Sequence, residues 1–238
     1  PDADLDMAAD AAVSAAYGSA GERCMAISVV VAVGDIGDQL VEAIRVRMEK
    51  LVIGPGTDPA SEMGPLITAE ARDRVAGYVQ AGADAGCTVV VDGRDQQFEG
   101  DGFFLGVSLL DHVTTDMSVY TDEIFGPVLS VVRANSYAEG AQMIRDNPFG
   151  NGAAIFTRDG GAARQFQQDA DAGMVGINVP IPVPVGYHSF GGWNDSAFGD
   201  HTIYGPEGLR FYTRPKVVTS RWPDPSTSGV DLGFPRND

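Results

Sequence analysis

Six short, mostly apolar runs punctuate the chain, at residues 27–33, 88–91, 103–110, 128–132, 152–157 and 174–178. Continuous apolar runs of this length read as buried strands. Segments with helical periodicity lie ahead of and between them, at residues 5–17, 38–50, 68–85, 136–145 and 161–172. Strands alternating with helices at this spacing predict an α/β fold, with an open, mostly parallel sheet flanked by helices. Local signals set the boundaries. Asp38 is the expected N-cap of its helix, and Thr68 caps the next one with Glu70 in the first turn. Pro55, Pro59 and Pro65 make residues 54–65 a loop, and Asn147-Pro148 stops the helix before it.

The chain changes character after Asn178. Pro180, Pro182 and Pro184 alternate with apolar residues, which forces an extended, non-helical path. Residues 211–222 alternate apolar and polar and are expected to form a lone terminal strand, and 223–238 a disordered tail. The first residue is proline and the first methionine is Met7, so a piece of a longer protein is expected.

Charge and cysteine usage narrow the function. Sixteen Lys and Arg against 33 Asp and Glu leave a net charge of -17, which repels phosphate backbones and argues against nucleic-acid binding. No apolar run is long enough to span a membrane, and the acidic start lacks a signal-peptide layout. Two cysteines cannot build a disulfide scaffold, so a cytoplasmic location is expected. Glycine-rich phosphate loops, H-E-x-x-H, C-x-x-C and G-x-S-x-G are all missing from the sequence, so no metal is expected.

Cys24 is the residue whose setting asks for chemistry. It lies in a glycine-bounded loop directly after Glu22-Arg23, where a guanidinium favours thiolate and a substrate can reach the sulfur. The competing reading is a small buried hydrophobe. Cys87, at a helix-to-strand junction with no cation beside it, takes that second reading. The other constellation is Glu123-Ile124-Phe125-Gly126-Pro127, opening directly into a strand. Glu123 can accept two hydroxyl hydrogen bonds, as from a ribose, and Phe125 offers a face to a planar ring. An exposed loop acid beside a core phenylalanine is the alternative.

Gly21-Glu22-Arg23-Cys24 followed by Glu123-Ile124-Phe125-Gly126-Pro127 resembles the aldehyde dehydrogenase superfamily. Three further stretches, at 147–157, 176–184 and 211–213, look like its CoA-acylating methylmalonate-semialdehyde dehydrogenases, and the resemblance runs from Pro1 to about Trp222. It implies that Cys24 is the nucleophile that attacks an aldehyde, that its backbone N–H faces the oxyanion, and that hydride passes to NAD. It further implies that Glu123 holds the nicotinamide-side ribose, that Phe125 packs near the nicotinamide, and that Arg23 pairs with the carboxylate of a semialdehyde. Coenzyme A as co-substrate would take the thioester, with loss of carbon dioxide, in valine or inositol breakdown.

By the same resemblance, residues 1–210 are the catalytic domain and 211–222 an oligomerisation strand, while the dinucleotide-binding domain precedes Pro1. Without that domain the chain is expected to be inactive alone, and to self-associate or to join an N-terminal or full-length partner subunit. Two other readings stay open: a fragment of an aldehyde dehydrogenase that hydrolyses its thioester, and an inactive remnant or oligomer-interaction module.

Overall fold

In the computed structural model, residues 1–222 are described, together with 224, 226, 229, 230, 232 and 233. The chain enters through Asp4, whose carboxylate accepts from Met7 N–H and caps helix α1, Leu5–Tyr17. Strand β1, Val29–Val33, and helix α2, Gly37–Met48, follow, and α1 packs against α2. Thr68 Oγ1 accepts from Ala71 N–H at 3.1 Å to start α3, Ala69–Ala85, which the left-handed Gly86 ends. Strands β2, Thr88–Val91, and β3, Ser108–Asp111, a short helix α4, Ser118–Thr121, and strand β4, Val128–Ala134, complete the first layer.

These strands form one sheet in the order β1-β4-β3-β2. β1 with β4 and β4 with β3 are parallel, and only β2 runs antiparallel, on β3. The interior strands β3 and β4 are buried almost throughout, as their apolar runs require. Leu109, Leu110, Leu129 and Val131 meet Tyr17, Ile44, Val75 and Val79 from the helices in a single core. Tyr17 donates its hydroxyl to the Ser108 carbonyl at 3.0 Å, tying the last residue of α1 to β3.

The second half carries α5, Tyr137–Asp146, started by Ser136, and then β5, Phe149–Gly150. β6, Gly152–Ile155, pairs in parallel with β7, Met174–Ile177, across helix α6, Gly160–Asp169. β5 pairs with β8, Trp193–Asn194, and α7 spans Pro206–Tyr212. A buried carboxylate joins two strand ends: Arg133 donates Nε and Nη2 to Asp111 at 2.9 and 2.5 Å, and reaches Asp38 at 3.0 Å.

The α/β class and the mostly parallel sheet stand as expected. Several local expectations do not. Asp38 is not an N-cap: α2 begins at Gly37 behind Ile36, out of a short 3-10 turn, and Asp38 instead pairs with Arg133. Residues 103–107 are not strand, because the ladder to β4 begins only at Ser108, opposite Val128. Phe211 and Tyr212 end helix α7, and 213–222 form no ladder with any described residue, since a strand needs a partner edge and none adjoins them. The tail expected at 223–238 falls largely outside the described residues. No described helix is long and apolar enough to cross a membrane.

Candidate active site

The two loops singled out by sequence meet through their glycines. After Tyr17, Ser19, Ala20 and Gly21 all adopt left-handed backbone, with φ of 55, 55 and 70°. This turn swings the chain back on itself, so that Ile27 N–H reaches the Ala15 carbonyl at 3.3 Å. A Cβ on Gly21 would stand 2.2 Å from the Gly126 carbonyl oxygen, a separation only glycine permits. That contact is what sets Cys24 and Glu123 on one wall.

Cys24 is exposed, and Asn151 Nδ2 donates to its carbonyl at 3.5 Å. Among the described residues no protein group accepts from the Cys24 backbone N–H. Cys87 is buried, and burial together with the nearby Asp111 charge pushes its thiol up. Glu123 is exposed, and among the described residues its carboxylate has no hydrogen-bond partner, so both oxygens are available. Phe125 has φ of 52°, a left-handed conformation rare for an aromatic, and the residue is 36% exposed. Helix α3 holds this loop from behind: Arg74 Nη1 donates to the Ile124 carbonyl at 2.7 Å, and Tyr78 donates to Asp122 Oδ2 at 3.0 Å.

Arg23 sits differently from what its place in the sequence suggests. Its Nη2 donates to the Ser14 and Ala15 carbonyls, both at 3.3 Å, at the C-terminal end of α1, where a cation is favoured. No hydrogen bond joins it to Cys24 Sγ among the described residues. Its Nε is buried with no acceptor. Nη1 makes no hydrogen bond among the described residues and is not buried in this way, so it is the part of Arg23 still open to a carboxylate.

Arg23, Cys24, Glu123 and Phe125 all line one cavity of about 810 Å³, which runs on between β1 and β6. Asn151, Arg74 and Tyr78 were missed by sequence reasoning. Each acts across 44 to 127 residues, and one sequence carries no signal for such pairings. No group of three or more His, Cys, Asp or Glu residues suited to a metal occurs among the described residues.

A model of the aldehyde dehydrogenase family matches residues 1–218. A malonate-semialdehyde dehydrogenase of Pseudomonas aeruginosa is 57% identical over 99% of this chain and 48% of its own length. Among solved structures, methylmalonate-semialdehyde dehydrogenase from Oceanimonas doudoroffii is 52% identical, with a TM-score of 0.92 over 95% of this chain and 47% of that one. A Mycobacterium tuberculosis aldehyde dehydrogenase complexed with NAD+ is 29% identical, with a TM-score of 0.84 over 90% and 43%. The chain spans about half the length of the curated relatives it matches.

Proposed function

Because the chain belongs to the aldehyde dehydrogenase family, we propose that residues 1–210 are the nucleophile-bearing half of an NAD-dependent, CoA-acylating semialdehyde dehydrogenase. The observation that carries this reading is the Gly21–Gly126 contact, which puts an exposed thiol and an unpartnered carboxylate on one cavity wall. In this reading Cys24 Sγ, as thiolate, adds to the aldehyde carbon, and the carbonyl electron pair moves to oxygen. The unpaired Cys24 N–H is placed to donate to that oxygen.

NAD fits the residues present. Glu123 has two free oxygens for a vicinal diol, and the half-exposed Phe125 ring can lie against a planar heterocycle. When bound, NAD supplies the hydride acceptor that turns the Cys24 adduct into a thioester. Arg23 Nη1, unpaired among the described residues, is the donor offered to a substrate carboxylate, which agrees with the malonate and methylmalonate semialdehydes named for the relatives. Carbon dioxide leaves the carboxylate-bearing acyl group as its C–C bond breaks, the electron pair left at the α-carbon taking a proton from water, and the thiol of coenzyme A attacks the thioester carbonyl as Cys24 leaves as thiolate.

Acyl transfer can be tested without NAD, since thiol–thioester exchange is redox-neutral. Propionyl-CoA should place a propionyl group on Cys24 and release CoA, as read by mapped mass spectrometry. Malonate semialdehyde should slow alkylation of Cys24 but not of Cys87. Propionylation of neither cysteine would favour a thioester released to water. Faster alkylation of Cys87 than of Cys24 would overturn the nucleophile assignment.

A further inference from the structure

In the proposed function Cys24 is the nucleophile, yet little holds it. It lies exposed in a turn between α1 and β1, outside any helix or strand. On one side Arg23 is anchored to α1 through its guanidinium, and Ala26 N–H closes the turn on the Arg23 carbonyl at 3.0 Å. On the other side stands Asn151, whose Nδ2 donates to the Cys24 carbonyl at 3.5 Å. Among the described residues it is the one hydrogen bond that Cys24 makes.

The donor is held far more firmly than the acceptor. Asn151 stands between β5 and β6, where the chain leaves one small sheet for the other: Gly150 pairs with Trp193 of β8, and Gly152 with Met174 of β7. Gly150 N–H donates to Ser196 Oγ at 3.0 Å, and the Gly150 carbonyl accepts from Gly173 N–H at 2.9 Å. The Asn151 carbonyl accepts from Met174 N–H at 3.1 Å. A backbone fixed on both sides leaves the side chain only its own torsions. Glycines let its neighbours come close. A Cβ on Gly192 would stand 2.7 Å from Asn151 Oδ1, and one on Gly152 would stand 2.6 Å from Cε of Met25, the residue after Cys24. The carboxamide makes no other hydrogen bond among the described residues, so its one bond goes to Cys24, 127 residues away.

We propose that Asn151 is a positioning residue for the chemistry at Cys24, an inference that rests on the nucleophile assignment made above. By holding the Cys24 carbonyl, its amide keeps the Cys24 backbone in one orientation, so that Sγ and the Cys24 N–H address the same substrate carbonyl. Addition needs both at once, the sulfur on carbon and the donor on oxygen. Each peptide plane is stiff, so a residue anchored at Arg23 before it and at its own carbonyl after it has little freedom left. Asn151 touches neither reacting atom in this arrangement. Its loss slows the chemistry and leaves the affinity for the acyl donor as it was. Gly192 and Ser196 pack around it, so the segment after Asn178 reaches the nucleophile through this one amide.

The test uses the 238-residue chain with Asn151→Ala, which removes the donor, and Asn151→Asp, which keeps the shape but turns an oxygen toward the Cys24 carbonyl. Assays are run where urea titration shows each variant folded. Propionyl transfer from propionyl-CoA, in which the Sγ–acyl bond forms as the CoA thioester bond breaks, is followed at Cys24 by mapped mass spectrometry over a range of donor concentrations. Its limiting rate should fall about tenfold with alanine and at least as far with aspartate, while half-saturation moves by less than about twofold. Iodoacetamide, which develops no oxyanion, should alkylate Cys24 of Asn151→Ala at the native rate. In a second arm, without CoA, the malonate semialdehyde concentration that halves Cys24 alkylation should rise about tenfold in Asn151→Ala. Native limiting rates in both variants, or a rise in half-saturation alone, overturn the proposal and leave the nucleophile in place. So does a slower transfer matched by equally slower alkylation, which reports a collapsed loop. A native chain that takes no propionyl group but is protected by the semialdehyde fails the CoA reading alone, and the second arm then decides on Asn151. If the native chain shows neither, the nucleophile assignment falls and this proposal with it.

Discussion

Gly21→Ala is the substitution that most directly probes how the two loops are held together. The new Cβ would lie 2.2 Å from the Gly126 carbonyl oxygen, 2.6 Å from its carbon and 3.1 Å from the Ala16 carbonyl. These are backbone atoms, which cannot swing aside as a side chain would. An ordinary contact begins near 3.4 Å, so the 122–127 loop must retreat by about 1.2 Å. Overpacking of this kind costs about 1–3 kcal/mol, and alanine at φ of 70° adds about 1–2 kcal/mol of backbone strain. A total of about 3 kcal/mol lowers the melting temperature of a domain this size by roughly 6–12 °C. Gly86→Ala separates the two effects, since Gly86 has φ of 97° but nothing within 4 Å of its Cβ position. It should therefore lose only the strain part. Urea and thermal unfolding of both variants decide the matter: if Gly21→Ala costs no more than Gly86→Ala, the loop contact does not hold the site.

Other outcomes follow from the charges and the open surfaces. Burial raises Asp111, but the Arg133 guanidinium and the His112 N–H outweigh it and hold the carboxyl below the ordinary aspartate value of 3.8. Asp111→Asn should therefore cost about 3 kcal/mol at neutral pH, the low end for breaking a buried pair, because Arg133 keeps Asp38. Because the folded value is depressed, the gap from the native chain should stay full down to about that ordinary value and close as pH falls through the lower folded one, as read by urea midpoints. Calorimetry should detect no micromolar NAD binding, worth about -8 kcal/mol, since in the function proposed above Glu123 and Phe125 address only the nicotinamide end; a micromolar isotherm would reveal a second set of contacts. Val217 and Trp222 are 91% and 92% exposed on a chain of net charge -17, so added salt should screen repulsion and enlarge the oligomer seen by light scattering. A monomer at both low and high salt would contradict this.

What the sequence disclosed was what lies within a turn or two of chain. Thr68 and the helix it starts, the run that became β4, and the limits of α1 all rest on neighbours only a few residues away. Asp38 misled because a good capping residue stood next to a helix that a 3-10 turn had already begun. Residues 103–107 misled because apolar content does not say where a ladder can start. In the site, Cys24 and Glu123 could be paired from their motifs, but not the glycine contact beneath them. Arg23 stands beside Cys24 in sequence and yet turns its guanidinium to α1, because carbonyls at a helix end compete for the same charge.

The strand order has a bearing on how the chain folds as it is made. β4 lies between β1 and β3 but is the last of the four to leave the ribosome, about a hundred residues after β1. Until residue 134 has emerged, β1 lacks its partner among the described strands, and β2-β3 is an isolated antiparallel pair, marginal in water. The lock of Asp2 on Thr157 must wait longer still. A nascent chain of this design keeps its sheet open until residue 134 has emerged, then closes it around the arriving strand. Folding of that kind is slow and non-local, and its unpaired valines depend on being shielded in the interval.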